Sequence, residues 1–180
     1  MADHQHITSF IKKWEADYGN DPYDSGGEIR KGITYKTWQL VFGDTHDRFR
    51  TMADDDWNFV FRKLFWDPMH GDEINSQVVA DMMVDWIWCS GKTSPGKRLQ
   101  TVLVQDFQCQ IDIDGAIGKQ TVRALNQVDE KKLLEAIVEE RFDFLNDIVA
   151  AHPQNEKFLN GWQNRIHDFL KEYSNQHPVG

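Results

Sequence analysis

No apolar run in this 180-residue chain approaches the roughly 18 residues needed to cross a bilayer, so no membrane span is expected. Cysteine is almost missing as well. Cys89 and Cys109 are too few for a disulfide framework and read as two reduced, partly buried thiols, although sequence does not say whether they pair. Basic residues are in deficit, 20 Lys and Arg against 29 Asp and Glu, which gives a net charge of −9. That balance excludes a dedicated nucleic-acid binder, which needs clustered cations to displace counterions. It also removes any long-range steering toward an anionic polymer. The first ten residues lack the basic and apolar regions of a signal peptide. If the substrate lies outside the cytoplasm, another system must deliver the protein to it. No phosphate-binding loop, dinucleotide glycine motif, G-x-S-x-G or zinc-protease motif occurs, and no cofactor or metal is implied.

What is present is a core. Hydrophobic residues make up 40% of the chain and seven are Trp, enough for one domain or one domain with an appended half. Ile7, Phe10, Ile11, Trp14 and Tyr18 form one stripe at helical spacing, predicting a first helix over residues 3–18. Residues 19–27 are nearly all turn formers and predict a loop; residues 28–33 allow at most a short hairpin. Thr34 reads as the N-cap of a short helix holding Trp38, Val41 and Phe42 and stopping at Gly43. Asp54 could cap a helix that Pro68 ends, and Asn75 or Ser76 opens a strongly apolar one that closes near Gly91. Ser94-Pro95 reads as a cap with a first-turn proline. A short helix at 121–126, a long one from an Asp129 cap to about Ala151 and a last one over 156–173 complete the chain. No convincing strand and no repeat is seen, so the fold class is mostly α.

Glu15 falls at the edge of the first apolar stripe, beside Ile11 and Tyr18 and one turn before the loop. A carboxyl there can be half-buried, and desolvation favours the neutral form that protonates a glycosidic oxygen. Position alone fits an ordinary boundary glutamate equally, and Asp17 on the opposite edge qualifies nearly as well. Asp24 follows nine residues later within the loop. Glycoside cleavage commonly uses two carboxyls in unlike environments, which a helix-end Glu and a loop Asp would provide. With 29 acidic residues such spacings are common, and Asp24 also reads as an Asx-turn residue.

The whole stretch carries more than its parts. Trp14-Glu-Ala-Asp-Tyr18, then Asn20-Asp-Pro-Tyr-Asp-Ser-Gly-Gly-Glu28, then Gly32-Ile-Thr34 resembles the signature of glycoside hydrolase family 108, the N-acetylmuramidases of bacteria and phages. The resemblance implies a lysozyme-like helical fold and Glu15 as the catalytic acid. It places Asp24 as its partner and Tyr18, Glu28 and Thr34 as cleft residues. The sequence departs from that pattern at Ala16-Asp17, where the family has Gly-Gly, and at Ile29, where it has Thr. Phage-type lysozymes hold their water with a Thr six residues after the Asp, and here Arg30 stands at that spacing. Asp17, Asp21 and Glu28 therefore stay open as the second group.

Gln105-Asp-Phe-Gln108, then Ile113-Asp-Gly-Ala-Ile-Gly-Lys-Gln-Thr121 through Leu125-Asn126, resembles the predicted peptidoglycan-binding half found beside such domains. Arg141 and the run Phe158 to Arg165 fit its closing helices. The expected organisation is a lysozyme-like half at 1–93 and a peptidoglycan-binding half at 94–180, packed as one globule. Asp114 and Trp162 are its candidate binding residues, while Asp114-Gly115 and Gly118 also read as a plain tight turn. Trp66, Trp88 and Trp162 are candidates to stack on sugar faces, and His70 near Asp72 and Glu73 reads as surface loop. The expected partner is the peptidoglycan glycan strand and the expected activity endolysin-like. The alternatives are a non-catalytic wall-binding scaffold and a lytic transglycosylase; oligomeric state is not readable.

Overall fold

Short-range signals place most helix ends. The computed structural model describes residues 1–19 and 27–176, apart from the side chains of 175 and 176. Helix α1 (Gln5–Trp14) buries Ile7, Phe10 and Ile11. Thr34 caps α2 (Tyr35–Phe42) by accepting from the Thr37 N–H, and Gly43 closes it at φ 66°. Helices α3 (His46–Arg50) and α4 (Asp54–Phe61) follow. Ser76 caps α5 (Gln77–Ser90), α6 spans Thr93–Gln105 and α7 spans Lys119–Leu125. Asp129 caps α8 (Glu130–Ala151), and α9 runs Glu156–Gln176. The architecture is mostly α, with one small sheet among the described residues.

That sheet corrects the first helix. The apolar stripe predicts helix to Tyr18, but Glu15 leaves α1 in an extended conformation (φ −103°, ψ 140°). Tyr18–Gly19 then become strand β1, paired antiparallel with β2 (Ile29–Arg30), which pairs with β3 (Ile33–Thr34). The ladder claims these backbone groups at a sequence distance that helical periodicity does not sense. Lys31 (φ 47°) and Gly32 (φ 79°) make a two-residue hairpin turn of the primed kind, whose twist suits the flanking strands. Trp57 fixes that turn by donating its indole N–H to the Lys31 carbonyl at 2.9 Å.

Helix α4 also departs from expectation. Its α-helical part ends at Phe61 and continues as a π turn over Arg62–Trp66, with Pro68 inside a following 3-10 turn. The wider π turn seats Phe65 against Trp88, 4.7 Å between ring centroids. Lys92, not Ser94, is the N-cap of α6, so Pro95 sits within the first turn.

Helix α5 is the axis of the molecule. Every residue from Val78 to Ile87 is buried, as an all-round apolar helix requires, and α1, α6 and α8 pack around it. Burying each of its Met and Ile side chains stabilises the fold by roughly 1.5–3 kcal/mol. Two of these buried residues are acids, Asp81 and Asp85, one turn apart. Asp81 meets His6 at 2.6 Å and Gln77 at 2.8 Å. Burial is the main force on its carboxyl and raises it to about 6, against the bonds from Gln77 and His6. The sign follows: an acid raised from 3.8 in the folded state favours folding when protonated and loses that contribution as pH climbs from about 4 through 6. Asp81→Asn cannot ionise, so its melting temperature should exceed wild type increasingly over that window, by on the order of 5 °C at pH 7. Thermal melts of both proteins between pH 4 and 7 measure the difference, and a gap independent of pH rejects the assignment.

Candidate active site

Four separate elements converge on Glu15. As the residue that ends α1, it stands where helix passes into β1, with 22% of its side chain exposed. Trp88 on α5 donates its indole N–H to Glu15 Oε1 at 2.8 Å, and Arg165 on α9 donates Nη1 to the same oxygen at 3.0 Å. Gly32, in the hairpin turn, presses on the carboxyl's other side. A Cβ at Gly32 would lie 2.6 Å from Glu15 Cγ, 2.8 Å from its Cδ and 2.8 Å from the Trp88 ring. Together with Trp14, Cys89, Gly161 and Trp162 these residues line an open cleft of about 440 Å³, within the usual range for ligand sites.

The position of Arg165 is itself determined from beneath. Its Nε and Nη2 bond Asp85 Oδ1 at 3.0 and 2.7 Å, and Arg141 Nη2 holds Asp85 Oδ2 at 2.7 Å. Asp85 is fully buried and Arg141 nearly so. Burial opposes the Arg165 charge, but Asp85 and the bonds to Asp85 and Glu15 outweigh it and raise the guanidinium above its ordinary value. Two arginines and two carboxylates thus form a balanced chain from the core to the cleft wall. The sequence reading passed over Asp85 and its role. The available signal was two acids at i and i+4 inside a helix that is otherwise apolar.

The other sequence candidates scatter. Asp24 and Asp21 lie outside the described residues. Asp17 is 73% exposed and meets Arg30 Nη1 at 3.4 Å. Tyr18 is exposed on β1 and donates to Glu28 at 3.0 Å. Glu28 also takes bonds from His46 at 2.5 Å and Arg50 at 2.9 Å. Burial would raise its carboxyl, yet the bonds from His46, Arg50 and Tyr18 prevail and hold it at about 2. Glu28 is therefore an ionised knot that pins the sheet to α3. Thr34 spends its hydroxyl on capping α2. Ile29 and Arg30 sit half-buried in β2, and neither offers a hydroxyl.

In the second half, Asp114 accepts from Gln100 and from the Ala116 N–H, each at 2.8 Å, which shapes the tight turn containing Gly115 (φ 84°). Those bonds hold the Asp114 carboxyl below its usual value, Gln100 most of all. Trp162, half-buried, lines the cleft with Glu15. Trp88 serves as a hydrogen-bond donor to Glu15 in the same wall. Trp66 is completely buried and donates to Asp72, which removes it from the sugar-stacking candidates. His70 bonds Glu73, three residues away, on the surface. Cys89 and Cys109 are free thiols, Cys89 exposed and Cys109 half-buried.

Residues 8–91 match the family model described as Glycosyl hydrolase 108, and residues 94–167 the one described as Predicted Peptidoglycan domain. The first matched stretch is thus similar to glycosyl hydrolase family 108, and the two matches together support a glycosidase of the peptidoglycan hydrolase kind, with peptidoglycan as its partner. Among solved structures, SagA of Brucella abortus has the same fold at a TM-score of 0.75 and 21% identity, over 93% of this chain and 91% of that one. No curated protein sequence matches. Glu15 lies within the first matched stretch and Arg165 within the second.

Gly32 is the point at which the geometry is least forgiving. Alanine there is strained by the positive φ and drives its methyl into Glu15 and Trp88. Gly32→Ala should lower the rate of wall hydrolysis by about 100-fold, because a misplaced reacting group is costly. The accompanying loss of stability should be only about 1–2 kcal/mol. Comparing initial rates with thermal melts separates the two effects.

Proposed function

We propose that the protein is an N-acetylmuramidase that hydrolyses the β-1,4 bond between N-acetylmuramic acid and N-acetylglucosamine. The observation that supports this most is a half-buried carboxyl, Glu15, fixed by two donors on the wall of an open cleft of about 440 Å³. Both donors use Oε1; Oε2 has no hydrogen-bond partner among the described residues, which leaves it for the substrate. A glycan lying over Glu15 would displace water from its carboxyl and favour the protonated form that donates to the leaving oxygen. Asp24, on the segment between β1 and β2, is the proposed second carboxyl, stabilising the oxocarbenium-like transition state or directing water. The Trp162 ring offers an apolar face to the sugar. The proposed place of action is the cell wall, reached by export or release through another system.

One observation favours a second reading, a wall-binding scaffold without turnover: β2 presents Ile29 and Arg30 where a hydroxyl would hold water. A single digest decides. Purified sacculi are incubated with the protein and the soluble fragments weighed by mass spectrometry. Fragments with reducing muramic acid ends support hydrolysis, and 1,6-anhydro ends assign transglycosylation instead. Bound protein with no released fragments supports the scaffold.

A further inference from the structure

Beside the cleft lies a second cavity of about 130 Å³, lined by Trp86, Ser90, Arg141, Leu145 and Ile148 and sharing Cys89, Trp162 and Arg165 with the cleft wall. Its strongest polar groups are donors. Trp86 is 1% exposed, and its indole N–H is buried with no acceptor among the described residues. A buried donor left unbonded is uncommon and costly in a folded protein. Arg141 is also under-used: besides Asp85, its partner among the described residues is the Met82 thioether at 3.2 Å, a weak acceptor. Asp85, the carboxylate between the two arginines, already accepts from both of them. Of the remaining lining, Ser90 and Cys89 carry a hydroxyl and a thiol and the rest is apolar. Such a pocket offers strong donors and no second anion to receive them.

Charge counting sharpens the point. With Glu15 ionised, Arg141, Asp85, Arg165 and Glu15 sum to zero; with Glu15 holding a proton, the set is left with one uncompensated positive charge. An anion in the cavity would restore neutrality and draw Arg165 away from Glu15. At about 30 Å³ per water-sized group, the space holds four or five heavy atoms, a branch rather than a sugar ring.

We propose that this cavity is a carboxylate subsite of the cleft, receiving the acidic branch of an N-acetylmuramic acid residue on Trp86 Nε1–H and Arg141. The inference rests on the muramidase reading for the identity of the sugar, and the cavity's size favours the free lactyl carboxylate over one carried farther out on a peptide. Substrate binding and arming of Glu15 then become a single event, since the branch that is recognised also neutralises the charge that opposes protonation. Trp86 and Arg141 act here as binding and positioning residues.

The test follows the Trp86 indole resonance in nitrogen-15 labelled full-length protein, assigned through bonds and checked by its loss in Trp86→Phe. Millimolar N-acetylmuramic acid should shift it downfield, and N-acetylglucosamine, which lacks the carboxylate, should not. A shift produced by a disaccharide-peptide but not by N-acetylmuramic acid keeps the carboxylate subsite and moves its source to the peptide. A resonance that ignores every acidic ligand, or answers N-acetylglucosamine equally, overturns the proposal and leaves a packing gap filled by water. The readout does not require turnover. A protein that releases no fragments from sacculi yet shows the selective shift has lost the muramidase reading and kept the subsite. Trp86→Phe should also weaken N-acetylmuramic acid binding about 10-fold, the usual effect of one hydrogen bond to a charged group. The smaller ring costs some packing in the core, partly offset by the loss of an unbonded donor, so the comparison is made well below the melting transition; unchanged affinity would count against the subsite.

Discussion

Glu15→Gln is expected to cut the rate of cell-wall clearance by about 1,000-fold while leaving the fold in place. Glutamine has the size of glutamate, and its side-chain oxygen can still accept from Trp88 and Arg165 in the positions now taken by Oε1. The loss is thus confined to the proton that a carboxyl can deliver and an amide cannot. Stability should change little, because Glu15 is partly exposed and Arg165 keeps its two bonds to Asp85. The measurement is turbidity loss of purified walls, with binding to the same walls as the control. Equal clearance by the two proteins would remove Glu15 from the chemistry and return attention to Asp17 and the acids of residues 20–26.

The second large effect is on stability. Asp85→Asn removes the negative charge shared by two guanidinium groups that have almost no access to water. Breaking a buried ion pair from one side typically costs 3–5 kcal/mol, because the partner is left charged and uncompensated. For a chain of this length that corresponds to a melting temperature lower by about 10 °C. Activity should fall beyond the loss of folded protein, since Arg165 would lose the two bonds that set its position beside Glu15. Melts and initial rates measured well below the transition separate the two contributions. An Asn variant as stable as wild type would mean that Asp85 is not the anchor of the arginine pair.

The features that could be read from sequence are those whose physics is local. Thr34, Ser76 and Asp129 cap helices through hydrogen bonds to a residue three positions on, and Gly43 and Gly91 end helices through positive φ. Each is written within a few residues. The end of α1 is not: the stripe through Tyr18 continues the helical spacing, but the strand partner that pulls Tyr18 and Gly19 away is Ile29–Arg30. Helix α3 escaped notice because it is five residues long and Thr45 caps it with no side-chain bond. For the candidate site, Glu15 is singled out by its place on the stripe and by family likeness. The groups that hold it are not, since Arg165 bonds Asp85 across 80 positions and Glu15 across 150. Nothing near Asp85 in the chain announces its partners.

That last separation has a consequence for ancestry. The acid belongs to the stretch matched to the hydrolase family, whereas the guanidinium that steadies it, and both arginines gripping Asp85, come from the stretch matched to the other family. The two stretches are therefore poor candidates for trading by recombination. A lineage that exchanged its carboxy-terminal half for an unrelated wall-targeting module would keep the acid and lose its support, so the two segments are expected to travel through evolution as a single unit.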